Sequence, residues 1–191
     1  GPSPTPDELQ AFSAKELVEY EFCPHRYLLR DLWGYQPGLQ PRLGYGSSLH
    51  HCLKVAGEMV KDEGSSPTEA VMKAVDEGFH MPFMGGQVFN TFKTKARRTP
   101  VDFSSKYGDD LSRIEEVEYR LEDPINNATV MGKVDVVLRE EDTVEVWDYK
   151  TSEEAETFDE STIQLRLYAL GLRALNKMVG GAAVAYLEEP E

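Results

Sequence analysis

Gly132-Lys-Val-Asp135, followed by Asp148-Tyr-Lys150, decides how this chain is read. The segment Thr129–Leu138 (TVMGKVDVVL) is rich in β-branched residues and runs into a charged turn, Arg139-Glu-Glu-Asp142. Thr143–Thr151 (TVEVWDYKT) is β-prone again. Alternate residues of a strand share a face, so Asp148 and Lys150 point the same way. A hairpin turning about Glu141-Asp142 sets Asp135 opposite Asp148 and gathers two carboxylates and an ammonium on one patch. Such a patch suits a hard divalent cation and the activation of a water. Val134, Val136 and Val137 flank the first acid, and Val146 and Trp147 flank the second. Acids inside apolar strands are costly unless paired or metal-bound, which favours a functional reading over a solvent-facing one.

The chain around this stretch has 191 residues, 40% hydrophobic and 28% charged, which suits one domain with a core of its own. No apolar run approaches a transmembrane helix, and no signal-peptide pattern opens the chain. Cys23 and Cys52 are the only cysteines. They are too few for a disulfide framework and lack zinc-site spacing, so a reducing, cytoplasmic setting is expected. The opening Gly-Pro-Ser-Pro-Thr-Pro has linker character and lacks an initiator Met. Residues 1–10 are therefore expected to be a linker or tag-cleavage remnant, and 11–191 the domain, cut from a larger protein. A net charge of −14 argues against a generic nucleic-acid coat protein. It leaves room for metal-binding carboxylates, which count as negative until the metal arrives. Lys93–Arg98 and the group His25, Arg26 and Arg30 are local basic patches. Taken singly, each reads as a solvated face.

Ser13 with Glu16 forms a capping-box pattern that starts a helix running to about Glu21. Cys23-Pro24 restarts a helical turn into Tyr27-Leu28-Leu29. Gly34–Gly46 is a Pro/Gly-rich connection. Ser47–Lys61 and Thr68–Glu77 have helical spacing, separated by Gly64-Ser-Ser-Pro67. Gly78–Gly86 is loop-like, and Gln87–Tyr107 is helical with an interruption expected near Pro100. Ile114–Leu121 alternates as a strand before the two strands above. Thr162–Met178 is strongly periodic, and Ala182–Leu187 is a last strand. Helices, three strands, a helix and a strand predict an α/β domain with a central mixed sheet and a helical N-terminal half.

Smaller signals sit around the acids. Gln164 and Tyr168 are at i and i+4, on one helix face. Of the neighbours His50 and His51 only one can face a given site, and periodicity does not choose between them. Cys23-Pro-His-Arg-Tyr27, with one cysteine, reads as helix-start packing rather than a metal site. Glu115, Glu116 and Glu118 read as surface charge, with one of them a candidate auxiliary acid.

In order, Cys23-Pro-His-Arg-Tyr27, Gly46-Ser-Ser-Leu-His50, Gly132-Lys-Val-Asp135, Asp148-Tyr-Lys150 and Gln164-Leu-Arg-Leu-Tyr168 resemble the RecB-like branch of the PD-(D/E)XK nuclease superfamily. The opening Ser13…Cys23-Pro24 and the Leu167–Leu172 helix are most similar to the nuclease domains at the C-terminus of UvrD/PcrA-type DNA helicases. The resemblance spans about Phe12 to Leu187 and implies a restriction-endonuclease-like core. It selects His50, and implies that His50, Asp135 and Asp148, with the backbone carbonyl of Tyr149, ligate Mg²⁺ or Mn²⁺. It further implies that Lys150 orients or deprotonates the attacking water, that Gln164 and Tyr168 brace the site and the strand, and that Arg26 and Arg30 hold backbone phosphates. The expected activity is metal-dependent phosphodiester hydrolysis, as an exonuclease on single-stranded DNA. The expected partners are DNA and a helicase motor in the same polypeptide or complex, in DNA repair or recombination. A scaffold that has kept the fold without catalysis, and a free-standing nuclease of CRISPR adaptation, are the alternatives. Several relatives build an iron–sulfur cluster from the Cys-Pro cysteine and three later ones. No cysteine follows Cys52 here, so this sequence cannot form that cluster. Val134 stands where the superfamily's classical motif has proline.

Overall fold

β3 (Ala128–Glu140) and β4 (Thr143–Lys150) form the anticipated hairpin in the computed structural model of the chain, with Glu141 at φ 40° in the turn. The structure describes residues 10–35, 41–81, 84–125, 128–151 and 158–188. The β3–β4 ladder runs from Glu140↔Thr143 to Val136↔Trp147. β2 (Ile114–Ile125) pairs antiparallel along β3 from Leu138 to Ala128 and fills one edge of it. The other edge is shared. β4 takes its C-terminal half, and a short strand β1 (Gln10–Ser13) pairs in parallel with Ala128–Met131. Gly132–Asp135 lies between the two partners. β5 (Val179–Tyr186) completes the mixed sheet, parallel to β4.

Two helical layers cover the sheet. On one face α3 (Pro41–Glu63), α4 (Pro67–Gly78) and α5 (Gly86–Lys106) bury Leu49, Leu53, Ala56, Val71, Val75 and Phe103 against Val136, Leu138, Trp147 and Tyr149. On the other, α1 (Ala14–Phe22) and α7 (Phe158–Ala174) bury Ala14, Leu165, Tyr168 and Leu172 against Val134, Val137, Val144 and Val146. Regular alternation on β4 therefore turns Asp148 and Lys150 towards α7.

On β3 the alternation slips. Val134 and Val136 are two residues apart yet belong to opposite cores, so the face changes by one residue at Asp135. β2 slips at the same level: Val117 meets Gly57 of α3, whereas Tyr119 packs on the α7 side. Glu118 lies between them with a left-handed backbone, φ 47°. Such strain in a residue with a Cβ persists only where its surroundings hold it.

The capping box at Ser13 and Glu16 is formed in both directions. α2 (Pro24–Tyr27) follows Cys23, and a π-helical turn continues through Leu28–Leu32. α7 ends in a Schellman motif: Lys177 N–H bonds the Leu172 carbonyl, Asn176 N–H bonds the Arg173 carbonyl, and Asn176 takes φ 60°.

Several expectations need correction. α3 begins at Pro41, inside the stretch read as a connection, because burial of Tyr45, Ser48 and Leu49 outweighs the poor helix propensity of Gly44 and Gly46. α5 runs unbroken through Pro100, where Ala96, Pro100 and Phe103 form one buried stripe that holds both halves of the helix. α7 stops at Ala174 rather than Met178, where the Asn176 cap takes over. A four-residue α6 (Gly108–Leu111) and strand β1 were not anticipated. Gln10, assigned to the linker, is the first residue of that strand. Part of the Gly34–Gly46 connection, part of the Gly78–Gly86 loop, residues 1–9 and Glu189–Glu191 lie outside the described residues.

Candidate active site

The β3–β4 ladder stops at Val136↔Trp147, one pair short of setting Asp135 against Asp148. The expected register is right, but the backbones part there and make a fork. A side chain takes over where the ladder ends: Asp135 Oδ2 accepts the Tyr149 N–H at 2.8 Å. A buried amide must find an acceptor, and the carboxylate supplies one from across the fork. The same oxygen lies 3.6 Å from His50 Nδ1 on α3. The structure thus brings His50, not His51, to the acids; the edge of Gly78 on α4 approaches His51 instead. Burial pulls the His50 pKa down, but the Asp135 contact and the charges of Asp135 and Asp148 overcome it and leave the imidazole above its usual value.

Asp148 is almost fully buried, at 4% exposure. Its Oδ2 lies 2.8 Å from Lys150 Nζ. Gln164 of α7 closes the group. Its Nε2 donates to Asp148 Oδ1 at 3.2 Å and to the Tyr168 hydroxyl at 2.6 Å, while its Oε1 accepts from Lys150 Nζ at 3.4 Å. Only one orientation of the amide does this: the NH₂ must face the carboxylate and the oxygen the ammonium. Burial, foremost, pushes the Tyr168 hydroxyl up to about 12, so it stays a neutral partner.

Two glycines explain the spacing of the motifs around these acids. A Cβ on Gly132 would stand 2.7 Å from the Tyr168 ring, so the small residue lets α7 close on β3. A Cβ on Gly46 would stand 3.2 Å from Thr151 Oγ1, which brings the start of α3 against the end of β4. Neither packing reason was visible in the sequence.

Arg26 and Arg30 are engaged elsewhere. Arg26 Nε bonds Glu19 at 2.9 Å and its Nη2 bonds Glu160 at 2.8 Å; Arg30 Nη1 bonds Glu19 at 2.8 Å. Glu19 is buried, and these two guanidinium groups answer its charge. Glu160 is one turn before Gln164, so the network ties α1 and α2 to α7 beside the site. In the Lys93–Arg98 patch, Lys95 pairs with Glu188, Arg97 with Asp76 and Arg98 with Asp102, a solvated ion-paired face as read.

His50, Asp135 and Asp148 have the donor chemistry of a divalent-metal site. Their placement meets it in part. His50 and Asp135 adjoin, while the Asp148 carboxylate is turned to Lys150 and Gln164. Among the described residues no three His, Cys, Asp or Glu side chains converge as a closed metal cluster.

A family model for the PD-(D/E)XK nuclease superfamily matches residues 11–191. The chain belongs to this superfamily. Members generally use divalent metal ions, which accords with the donor types in the fork. No curated protein matches the chain. Among solved structures it is similar to that of protein VC1899 from Vibrio cholerae, at 12% identity and a TM-score of 0.34. That similarity covers 93% of this chain and 48% of the other, so the chain spans about half the length of that protein. So distant a likeness carries no argument about function.

Proposed function

We propose that this PD-(D/E)XK chain is a divalent-metal-dependent deoxyribonuclease domain of the RecB-like branch. It acts as an exonuclease on single-stranded DNA, alongside a helicase motor in the same polypeptide or complex, in repair or recombination in the cytoplasm. The observation that carries the hydrolytic reading is the fork: Asp135, Asp148, Lys150, Gln164 and His50 meet where β3 and β4 part. The five motifs in order support the branch and the helicase association. Among the described residues no helix is long and apolar enough to cross a membrane.

His50, Asp135, Asp148 and the Tyr149 carbonyl would hold Mg²⁺ or Mn²⁺, which supplies a polarised phosphate and a more acidic water. The protein's own residues do the rest. Lys150 orients the water and shares the negative charge that builds on the phosphate. Water oxygen bonds to phosphorus and gives up a proton to solvent, the bridging P–O bond breaks, and the leaving oxygen takes up a proton from solvent. Gln164 holds Asp148 and Lys150 at fixed separation, and Tyr168 fixes Gln164 in turn. Preorganised groups of this kind need no rearrangement as charge develops. Arg26 and Arg30 contact phosphate only by sharing themselves with Glu160 and Glu19.

A non-catalytic DNA-binding scaffold is the second reading, and the turned-away Asp148 carboxylate favours it. The intact set of acids, lysine and histidine counts against it. End-labelled single-stranded and duplex DNA, incubated with Mg²⁺, Mn²⁺ or EDTA, separates the two. Metal-dependent shortening from one end supports the exonuclease. Retention of label with no cleavage in any divalent ion supports the scaffold.

A further inference from the structure

Three charged side chains border the fork on its α3 side and take no part in the chemistry above. Lys133 Nζ lies 2.6 Å from Glu118 Oε1, and Lys54 Nζ lies 3.6 Å from Glu118 Oε2 and 3.8 Å from Glu58 Oε1. Their positions tie them to the site. Lys54 is one helical turn beyond His50 on α3. Lys133 is two residues before Asp135 on β3. Glu118 is on β2 at the level of Asp135, bracketed by the pairs Val117↔Val136 and Tyr119↔Val134. It is also the residue with the left-handed backbone, so the sheet keeps a conformational cost at this point. Both lysine side chains stay partly open to solvent, at 35% and 49% exposure. Other acids on β2 pair with cations away from the fork: Glu116 with Lys61, and Glu115 with Lys177 and Arg139.

We infer that Lys54 and Lys133 are a grip for the phosphates next to the scissile one on the strand being cut, and that Glu118 holds them until phosphate replaces it. The inference deepens the nuclease reading and rests on it. A chain of net charge −14 repels DNA over most of its surface. A strand that reaches the acids needs cations close by, and the arginines beside α7 are already bound to Glu19 and Glu160. Lysine suits the task as a point charge for phosphate. The Glu118 carboxylate, shared by the two ammonium groups, keeps them spaced and gives way to a phosphate oxygen that makes the same contacts.

The test measures binding of a labelled single-stranded oligonucleotide across a salt series, in Mg²⁺, with the whole chain carrying Asp148→Ala to prevent cleavage. Lys54→Gln and Lys133→Gln should each weaken binding and reduce the slope of log affinity against log salt by about 0.7. Glu118→Gln should tighten binding at low salt. Variants with an unchanged slope, while the unmutated chain cleaves DNA, would overturn the grip and leave the nuclease reading standing. If the parent chain neither binds nor cleaves DNA, both fall. A lowered melting temperature with unchanged slope marks the triad as structural only and also overturns the inference.

Discussion

The two halves of one hairpin behave differently. From Val136 to Glu140, β3 is laddered to β4, and Val137, Leu138 and Val146 are fully buried. There the backbone groups satisfy one another and the side chains only pack. From Asp135 towards Gly132, β3 has left β4, and side chains do what the ladder did: Asp135 takes the Tyr149 amide, and Gln164 bridges Asp148 and Lys150. Ending the ladder frees backbone and space without exposing the core. Two carboxylates can then be kept in an apolar sheet because each has a named partner.

The largest expected difference is chemical. Lys150→Ala should lower cleavage about 10²–10³-fold, the range for losing a preorganised group that stabilises charge developing in the transition state, with the far-UV spectrum unchanged. Val146→Ala, in the laddered half, should lower the melting temperature and leave cleavage per folded molecule near that of the parent. The reverse pattern would break the comparison. Next comes packing at the fork. Gly132→Ala pushes a methyl into the Tyr168 ring and should cost about 1–3 kcal/mol by denaturant unfolding. An unchanged midpoint would mean that α7 does not close on β3 as described. Smaller still is Tyr168→Phe, which removes the hydroxyl that takes one Gln164 proton; about 1 kcal/mol is expected, together with a lower turnover.

The smallest effect is on the alkaline limb. Burial holds the Tyr168 hydroxyl up to about 12, and burial pushes Tyr149 up as well. Their unfolded pKa values are about 10. A raised folded value means stability that is whole below the unfolded pKa and is lost as pH rises towards the folded one. Absorbance at the phenolate band should therefore rise for these two residues only on unfolding, above about pH 10. Early ionisation in the folded protein would place them nearer solvent.

Much of this was legible in the sequence because it rests on local rules. The capping box at Ser13, the two-residue turn after Glu140, and the shared face of Asp148 and Lys150 follow from spacing alone. His50 over His51 was not legible from periodicity and came from the resemblance; the structure places His50 at Asp135. The slip at Asp135 was hidden because period-two alternation assumes an unbroken phase, and Val134, Val136 and Val137 look alike as letters. β1 was missed because four residues pairing with a strand more than a hundred positions away leave no local signal. The Glu118 triad was missed for a similar reason. Its members are drawn from α3, β2 and β3, and Glu118 resembles its acidic neighbours until the register is known.

The central question is whether the open half of the hairpin is the reacting half. The most direct measurement is single-turnover cleavage of end-labelled single-stranded DNA in Mn²⁺ by the parent chain, by Asp148→Asn and by Val146→Ala, each corrected for folded fraction. Loss of cleavage in Asp148→Asn with cleavage kept in Val146→Ala is the predicted result. Cleavage that survives Asp148→Asn would contradict it and move the chemistry away from the fork.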